Sequence, residues 1–304
     1  MERTVRRAFT LTELIFVLVI VAVLSVAAFK ALSLLGVRSF KAKELTRLTL
    51  QSQVAIDQIS LLLSQRIPAS AIGYDMKSGD FDYIGYIANF DKYKIFEWLN
   101  RPKEEFDKGK YSSFADMVPS INDTGYRLKT PMLDMSGDGY NLIFAGSFDI
   151  AYSDTGDIKD AFGWHSHQSR NSFDISFDSA NDIIKITDPV KPKRIYEKYF
   201  LTNGSFAIAR GVDIEKNAEC IKDLELKDID NTLFLFYGYR PWKGESFCAD
   251  AKSQKKSGKA TVLMEYVSGF AIREQDHTIR VIMDINRSVK GSSPIHFSKM
   301  KVVF

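Results

Sequence analysis

Between Leu14 and Leu35 the chain runs for 22 residues with only Ser25, Lys30 and Ser33 interrupting a series of aliphatic and aromatic side chains. As a helix, that length crosses the roughly 30 Å hydrocarbon layer of a bilayer. One carboxylate, Glu13, stands at the head of the run, where a charge entering hydrocarbon must find a partner or carry a large penalty. Glu13 is therefore a functional candidate from the outset. Arg3, Arg6 and Arg7 precede the run, and Lys30 lies near its far end, where the stem can snorkel toward headgroups. This asymmetry places the N-terminus on the cytoplasmic side. A secretory signal peptide has a similar basic head and apolar body. Here no small-x-small site followed by a polar start closes the run; it flows instead into Lys30, Arg38, Lys41 and Lys43, so a retained segment is expected.

The 304 residues, 26% charged and 45% hydrophobic, suit one large globular domain or two small ones and exclude a disordered or collagen-like chain. A net charge of +3 supplies no strong field toward nucleic acid or other acidic partners. Cys220 and Cys248 are the two cysteines, without the C-x-x-C spacing of a zinc or redox motif.

The junction "RRA" followed by "FTLTELIFVLVIV" resembles the prepilin N-terminus of type IV pilins and type II secretion pseudopilins. The parts are a basic leader ending in Arg6 and Arg7, small Ala8, aromatic Phe9, Glu13 fifth from Phe9, and the apolar run. The resemblance implies cleavage by a prepilin peptidase between Ala8 and Phe9 and N-methylation of Phe9. The family usually has Gly before the scissile bond, and Ala8 is the departure. It also implies an assembly role for Glu13, whose carboxylate would pair with the Phe9 amine of a neighbouring subunit and set the register of packed helices. The other reading of Glu13 is a carboxylate at a membrane–water boundary, favoured by the positive end of its own helix dipole.

After Gly36 the pattern turns amphipathic: Leu45, Leu48, Ala55, Ile59 and Leu62 recur at helical spacings among Lys43, Arg47, Asp57 and Gln65. With no proline before Pro68, one helix is expected from Phe9 to about Gln65. From Ile67 to Met135 periodicity weakens, and "YKIFEWLN" reads as a short helix. From Tyr140 onward strand signals multiply. "FDISFD" puts Phe173, Ile175 and Phe177 on one face, and Asn203-Gly204 between two apolar runs predicts a hairpin. Met264, Tyr266, Phe270 and Ile272 alternate, as do Ile279, Val281, Met283 and Ile285, which predicts antiparallel strands with one buried face. The expected fold is α+β and pilin-like, a long N-terminal helix, transmembrane in its first half, packed on an antiparallel sheet. Its expected divisions are a leader at 1–8, a transmembrane or fibre-core helix at 9–36, an amphipathic helix at 37–66 and an exported head at 67–304.

Four further groups of residues can carry chemistry. Cys220 and Cys248, on the exported side, would close a loop of about 29 residues; a structural disulfide there contributes roughly 3 to 4 kcal/mol, the alternative being two separate buried thiols. Asp134, Ser136 and Asp138 before Gly139 are similar to the opening of a calcium loop, but Ala145 stands where an EF-hand has its bidentate Glu, and a solvated Asp-Gly turn explains the same residues. Otherwise no cofactor is expected. His165 and His167 would share one side of a strand as two metal ligands, with His277 and His296 remote. Lys252, Lys255, Lys256 and Lys259 form a basic run for which a solvated loop is a commoner explanation than DNA binding. No nucleophile elbow, phosphate loop or dinucleotide fingerprint is present, so no enzyme is expected.

The closing strands "YVSGFAIREQDHTIRVIMDINRS" and "IHFSKMKVVF" are similar to those of J-type minor pseudopilins and related minor pilins. The resemblance thus implies a minor pseudopilin at or near the tip of a type II secretion pseudopilus. Its partners would be the prepilin peptidase, other pseudopilins or minor pilins, an inner-membrane assembly platform, and membrane lipid before assembly. It would sit in a bacterial inner membrane with its head periplasmic. The alternatives are a type IV pilus minor pilin for adhesion or DNA uptake and, from another class, a membrane-anchored periplasmic binding protein or enzyme.

Overall fold

The computed structural model describes residues 10–87, 91–121, 126–148, 158–215, 218, 220–221, 224–226, 228–248, 255–256, 258–275 and 278–303. The chain divides into two compact units, one of the residues up to Gln51 with Arg287–His296, the other Ser52–Asn286 with Phe297–Phe304.

Helix α1 (Leu11–Ser64) contributes its N-terminal part to the first unit and its C-terminal part to the second. At 1.5 Å per residue its 54 residues extend about 81 Å. Within the first unit, Glu44 binds Arg47 at 3.0 Å and also pairs with Arg287, while Lys41 Nζ donates to Ser293 Oγ at 2.6 Å. Leu48 is buried in the first unit, and in the second Ala55, Ile56, Ile59 and Leu63 are buried, Ile59 lying three or four residues from each of the others. The expected stripe is rotated at both ends: Leu45 is 44% exposed and Leu62 only half-buried, with Ile56 and Leu63 in the core instead. Runs such as Leu61-Leu62-Leu63 offer the helix a choice of apolar neighbour, which only the opposing surface settles.

The helix ends in tightened turns, Gln65 N–H to Leu62 O and Arg66 N–H to Leu63 O, both 3.1 Å. Ile67 N–H then donates to Leu99 O at 2.9 Å, and the chain passes into sheet. The first strands are β1 (Ile72–Asp75), β2 (Asp80–Tyr83) and β3 (Ile95–Leu99), followed by short helices α2 (Lys103–Asp107) and α3 (Met117–Ile121). Then come β4 (Arg127–Lys129), β5 (Asn141–Phe144), β6 (Phe173–Asp178), β7 (Ile183–Ile186), β8 (Tyr199–Thr202) and β9 (Ser205–Arg210). The remainder are β10 (Leu233–Tyr239), β11 (Glu245–Ser246), β12 (Lys255–Lys256), β13 (Lys259–Met264), β14 (Val267–Gln275), β15 (Thr278–Arg287) and β16 (Ile295–Val303).

These strands form a six-stranded sheet (β13-β10-β9-β3-β1-β2), a five-stranded sheet (β4-β7-β6-β5-β8), a three-stranded sheet (β14-β15-β16) and the short parallel pair β11-β12. Lys299 Nζ donates to Gln53 Oε1 at 3.1 Å and Lys301 Nζ to Asp57 at 2.6 Å, tying β16 to the C-terminal part of α1. The α+β, pilin-like arrangement of a long N-terminal helix followed by antiparallel sheets is therefore present, with the sheet divided into several.

Three local readings need correction. "YKIFEWLN" is not a helix: Ile95–Leu99 is β3, buried at every position between β9 and β1. A strand covered on both faces loses the polar alternation that would mark it. Ile95 and Leu99 enter one core cluster, while Phe96 on the opposite face meets Phe270 edge-on at 6.0 Å. Asn203-Gly204 is not a hairpin turn either. β8 pairs with β5, and β9 with β10 and β3, so this dipeptide switches the chain between sheets. Neither residue takes the positive φ that a type I′ turn needs. Finally, Met264 and Ile272 lie on different strands. The chain leaves β13 at Met264, passes Tyr266 with φ 64°, and enters β14 at Val267. The alternation in β15 is as expected, with Ile279, Val281, Met283 and Ile285 fully buried.

Candidate functional site

The residues at the head of α1 build the first candidate. Thr10 precedes the first helical residue, and Glu13 lies three further on, the spacing of a capping box. Glu13 Oε2 accepts from Thr10 N–H at 2.9 Å and from Thr10 Oγ1 at 2.9 Å. The Glu13 N–H points back to Thr10 Oγ1 at a longer 3.4 Å. The carboxylate therefore satisfies one backbone donor, Thr10 N–H, at the open end of the helix. The signal T-x-x-E was readable at 10–13 and identifies a local role for Glu13 beside the intersubunit role implied by resemblance. Among the described residues Oε1 accepts no hydrogen bond. Ala8 and Phe9, the cleavage and methylation residues, lie outside the described residues.

Beyond Glu13, the apolar side chains from Leu14 to Leu35 stand exposed. No part of the most apolar 18-residue stretch of α1 is buried within the chain, and the helix is long and apolar enough to cross a membrane. An uncovered apolar face of this extent calls for lipid or other helices to remove it from water.

In the second unit Cys220 and Cys248 are joined in a disulfide with their Cα atoms 5.2 Å apart. Cys248 is buried in the cluster beneath the six-stranded sheet, against which Cys220 packs. Asp134, Ser136 and Asp138 are all exposed, and among the described residues no group of three or more His, Cys, Asp or Glu side chains is placed to hold a metal. The backbone of Lys255 and Lys256 forms β12, Lys259 opens β13 with an exposed side chain, and Lys252 lies outside the described residues.

The histidines are not neighbours on a strand. A tight turn at Trp164–Ser166 separates them, with His165 in the left-handed region at φ 49°. The turn sends His165 into the core and leaves His167 on the surface, 3.3 Å from Asp160 Oδ1. His165 stacks on Tyr74 with ring centroids 3.6 Å apart, and its Nε2 lies 2.7 Å from Glu97 Oε1. His277 is outside the described residues.

Glu97 is thus the centre of a cluster that the sequence reading missed. It sits mid-strand in β3, 1% exposed, with Oε1 bonded to His165 and Oε2 accepting from the Tyr239 hydroxyl at 2.7 Å. Burial, reinforced by the charge of Glu97, pushes the Tyr239 hydroxyl far above the ordinary tyrosine value, so it stays a protonated donor. The bonds tie β3, β10 and the Trp164–Ser166 turn together. A lone acid inside "IFEWL" was the available signal, since a carboxylate in a buried strand requires dedicated donors. The cluster is closed to solvent, and its geometry points to holding these elements in place.

Residues 3–29 match the prokaryotic N-terminal methylation motif, a stretch that contains Ala8, Phe9 and Glu13. No curated protein and no solved structure matches the chain. The motif, heading an uncovered apolar helix, supports a subunit of type IV pilin or pseudopilin type, and it implies processing by prepilin peptidase, assembly with other pilins and anchoring by a single membrane pass.

Proposed function

We propose that the chain is a minor pseudopilin, a structural subunit at or near the tip of a type II secretion pseudopilus. The observation that carries this reading is the apolar stretch of α1, exposed along its length and headed by Glu13. In a bilayer the stretch is covered by lipid. In a fibre it is covered by other helices, and Glu13 receives the amine of a neighbour's Phe9 in surroundings where an unmatched charge is costly. With 304 residues the chain is large for a bulk-polymer subunit, which favours a minor component. The closing strands resemble those of the J type, and the presence of Glu13 favours it over the K type, the largest pseudopilin type, which typically lacks a Glu fifth from the mature N-terminus. The head is periplasmic, consistent with its disulfide. No reaction and no cofactor enter the proposal; calcium at Asp134, Ser136 and Asp138 is not needed for it.

Mass spectrometry of the purified protein tests the reading. A chain beginning at N-methylated Phe9 is expected, and an intact Met1 on a monomeric membrane form would favour an anchored periplasmic protein instead. A type IV pilus minor pilin shares the same maturation, and co-purification with pilus rather than secretion components would select it.

A further inference from the structure

A small cleft in the second unit lies between the end of α1, helix α2 and the start of β8, with a volume of about 240 Å³. Phe106, Tyr111 and Phe200 line it, the first two with ring centroids 5.5 Å apart. Two cations stand over the third ring: the Arg101 guanidinium at 5.4 Å and Lys198 Nζ at 5.9 Å from the Phe200 centroid. The walls are fixed by backbone bonds, Arg101 N–H to Gln65 O at 3.0 Å and Tyr199 N–H to Ser113 O at 3.1 Å, with a bridge between Phe114 and Lys198.

The charges lining this cleft do not balance. Asp107 is its one carboxylate, and it is bound by Lys103 at 2.5 Å. Among the described residues neither Arg101 nor Lys198 makes an ion pair. A guanidinium and an ammonium lining one cleft with an aromatic floor favour a carboxylate, which can accept parallel hydrogen bonds from the planar fork. The cleft is smaller than the roughly 300–1,000 Å³ of pockets that enclose a whole drug-sized ligand, so it suits one side-chain-sized apolar group. A small aromatic pocket rimmed by Arg is also the anatomy of an interface hot spot.

We propose that this cleft receives a peptide segment of a partner protein in which an Asp or Glu adjoins an apolar residue, the apolar side chain resting on Phe106, Tyr111 and Phe200 and the carboxylate meeting Arg101 and Lys198. The inference rests on the reading that the head meets protein partners after export. It is separable from that reading, because binding is measured on purified protein whatever its N-terminus.

The full chain in detergent is panned with random dodecapeptides, and the best-enriched peptide is titrated by fluorescence anisotropy. Enrichment of acidic–apolar pairs is expected. Affinity should fall about tenfold or more when the peptide acid is changed to its amide, or in the Arg101→Gln/Lys198→Gln protein. It should also weaken as salt rises from about 50 to about 300 mM, because charges on the rim are screened. Phe106→Ala should weaken binding while leaving that salt dependence in place. If the double variant melts early, Lys198→Gln alone, at an exposed position, should still reduce affinity about threefold. No enrichment over detergent alone, enrichment of peptides without acids, equal binding by the amide peptide, or retention only of anionic lipid vesicles would each overturn the proposal.

Discussion

Replacing Tyr239 with Phe removes one oxygen from the core and tests whether the buried carboxylate of Glu97 depends on its donors. In the native chain two contacts of 2.7 Å hold that carboxylate, one from Tyr239 and one from His165. Glu97 is 1% exposed, so water cannot replace a lost donor without opening the sheet. A hydrogen bond to a charged group contributes about 1.5–3 kcal/mol. The expected loss is therefore about 2–3 kcal/mol. For a head of this size that lowers Tm by about 4–12 °C. Tyr237→Phe is the control: its side chain is 37% exposed, and the substitution should stay within about 0.5 kcal/mol of the parent. Calorimetry of the full chain in detergent reads both, and a double-mutant cycle with Glu97→Gln should return a coupling of at least about 1 kcal/mol. A Tyr239→Phe protein as stable as the control, or a cycle without coupling, would falsify the reasoning.

Ile59→Ala, at a fully buried position of α1, should cost about 2–5 kcal/mol in urea denaturation, whereas the exposed Leu61→Ala should cost little. Reducing the Cys220–Cys248 bridge, which spans a sequence separation of 28, should lower stability by about 3–4 kcal/mol, read as a lower denaturation midpoint in reducing buffer. Burial pushes the Tyr199 hydroxyl up to about 12 from its ordinary value of 10.0. The folded state then keeps a proton that the unfolded chain releases, so its contribution is full below pH 10 and declines as pH rises toward 12, by about 2–3 kcal/mol. Tyr199→Phe should flatten that alkaline decline, although losing the 2.6 Å contact with Thr130 lowers its stability at neutral pH.

The legible parts of the fold carry their information within a few neighbouring residues. The single helix follows from an unbroken apolar and then amphipathic pattern, and β15 follows from strict alternation at Ile279, Val281, Met283 and Ile285. β3 was misread because coverage on both faces removes alternation, which leaves aromatic density that a helix can also display. The hairpin expected at Asn203-Gly204 failed for a different reason: the two strands beside it bond to strands distant in sequence instead of to each other. For the candidate site, Glu13 announced itself as a charge beside an apolar run. Its cap with Thr10 was equally local and could have been read. Glu97 left only one weak sign, an acid inside an apolar strand.

Sequence by itself determined the apolar helix, the carboxylate at its head and the methylation motif around them, because each is a pattern among residues joined by a short length of chain. Tertiary structure alone decided that Glu97, His165 and Tyr239 meet, that β8 and β9 part into different sheets, and that Arg101 and Lys198 share one aromatic ring. Those choices depend on which distant segments can bury one another while satisfying every polar group between them, and no local pattern contains the partner's position.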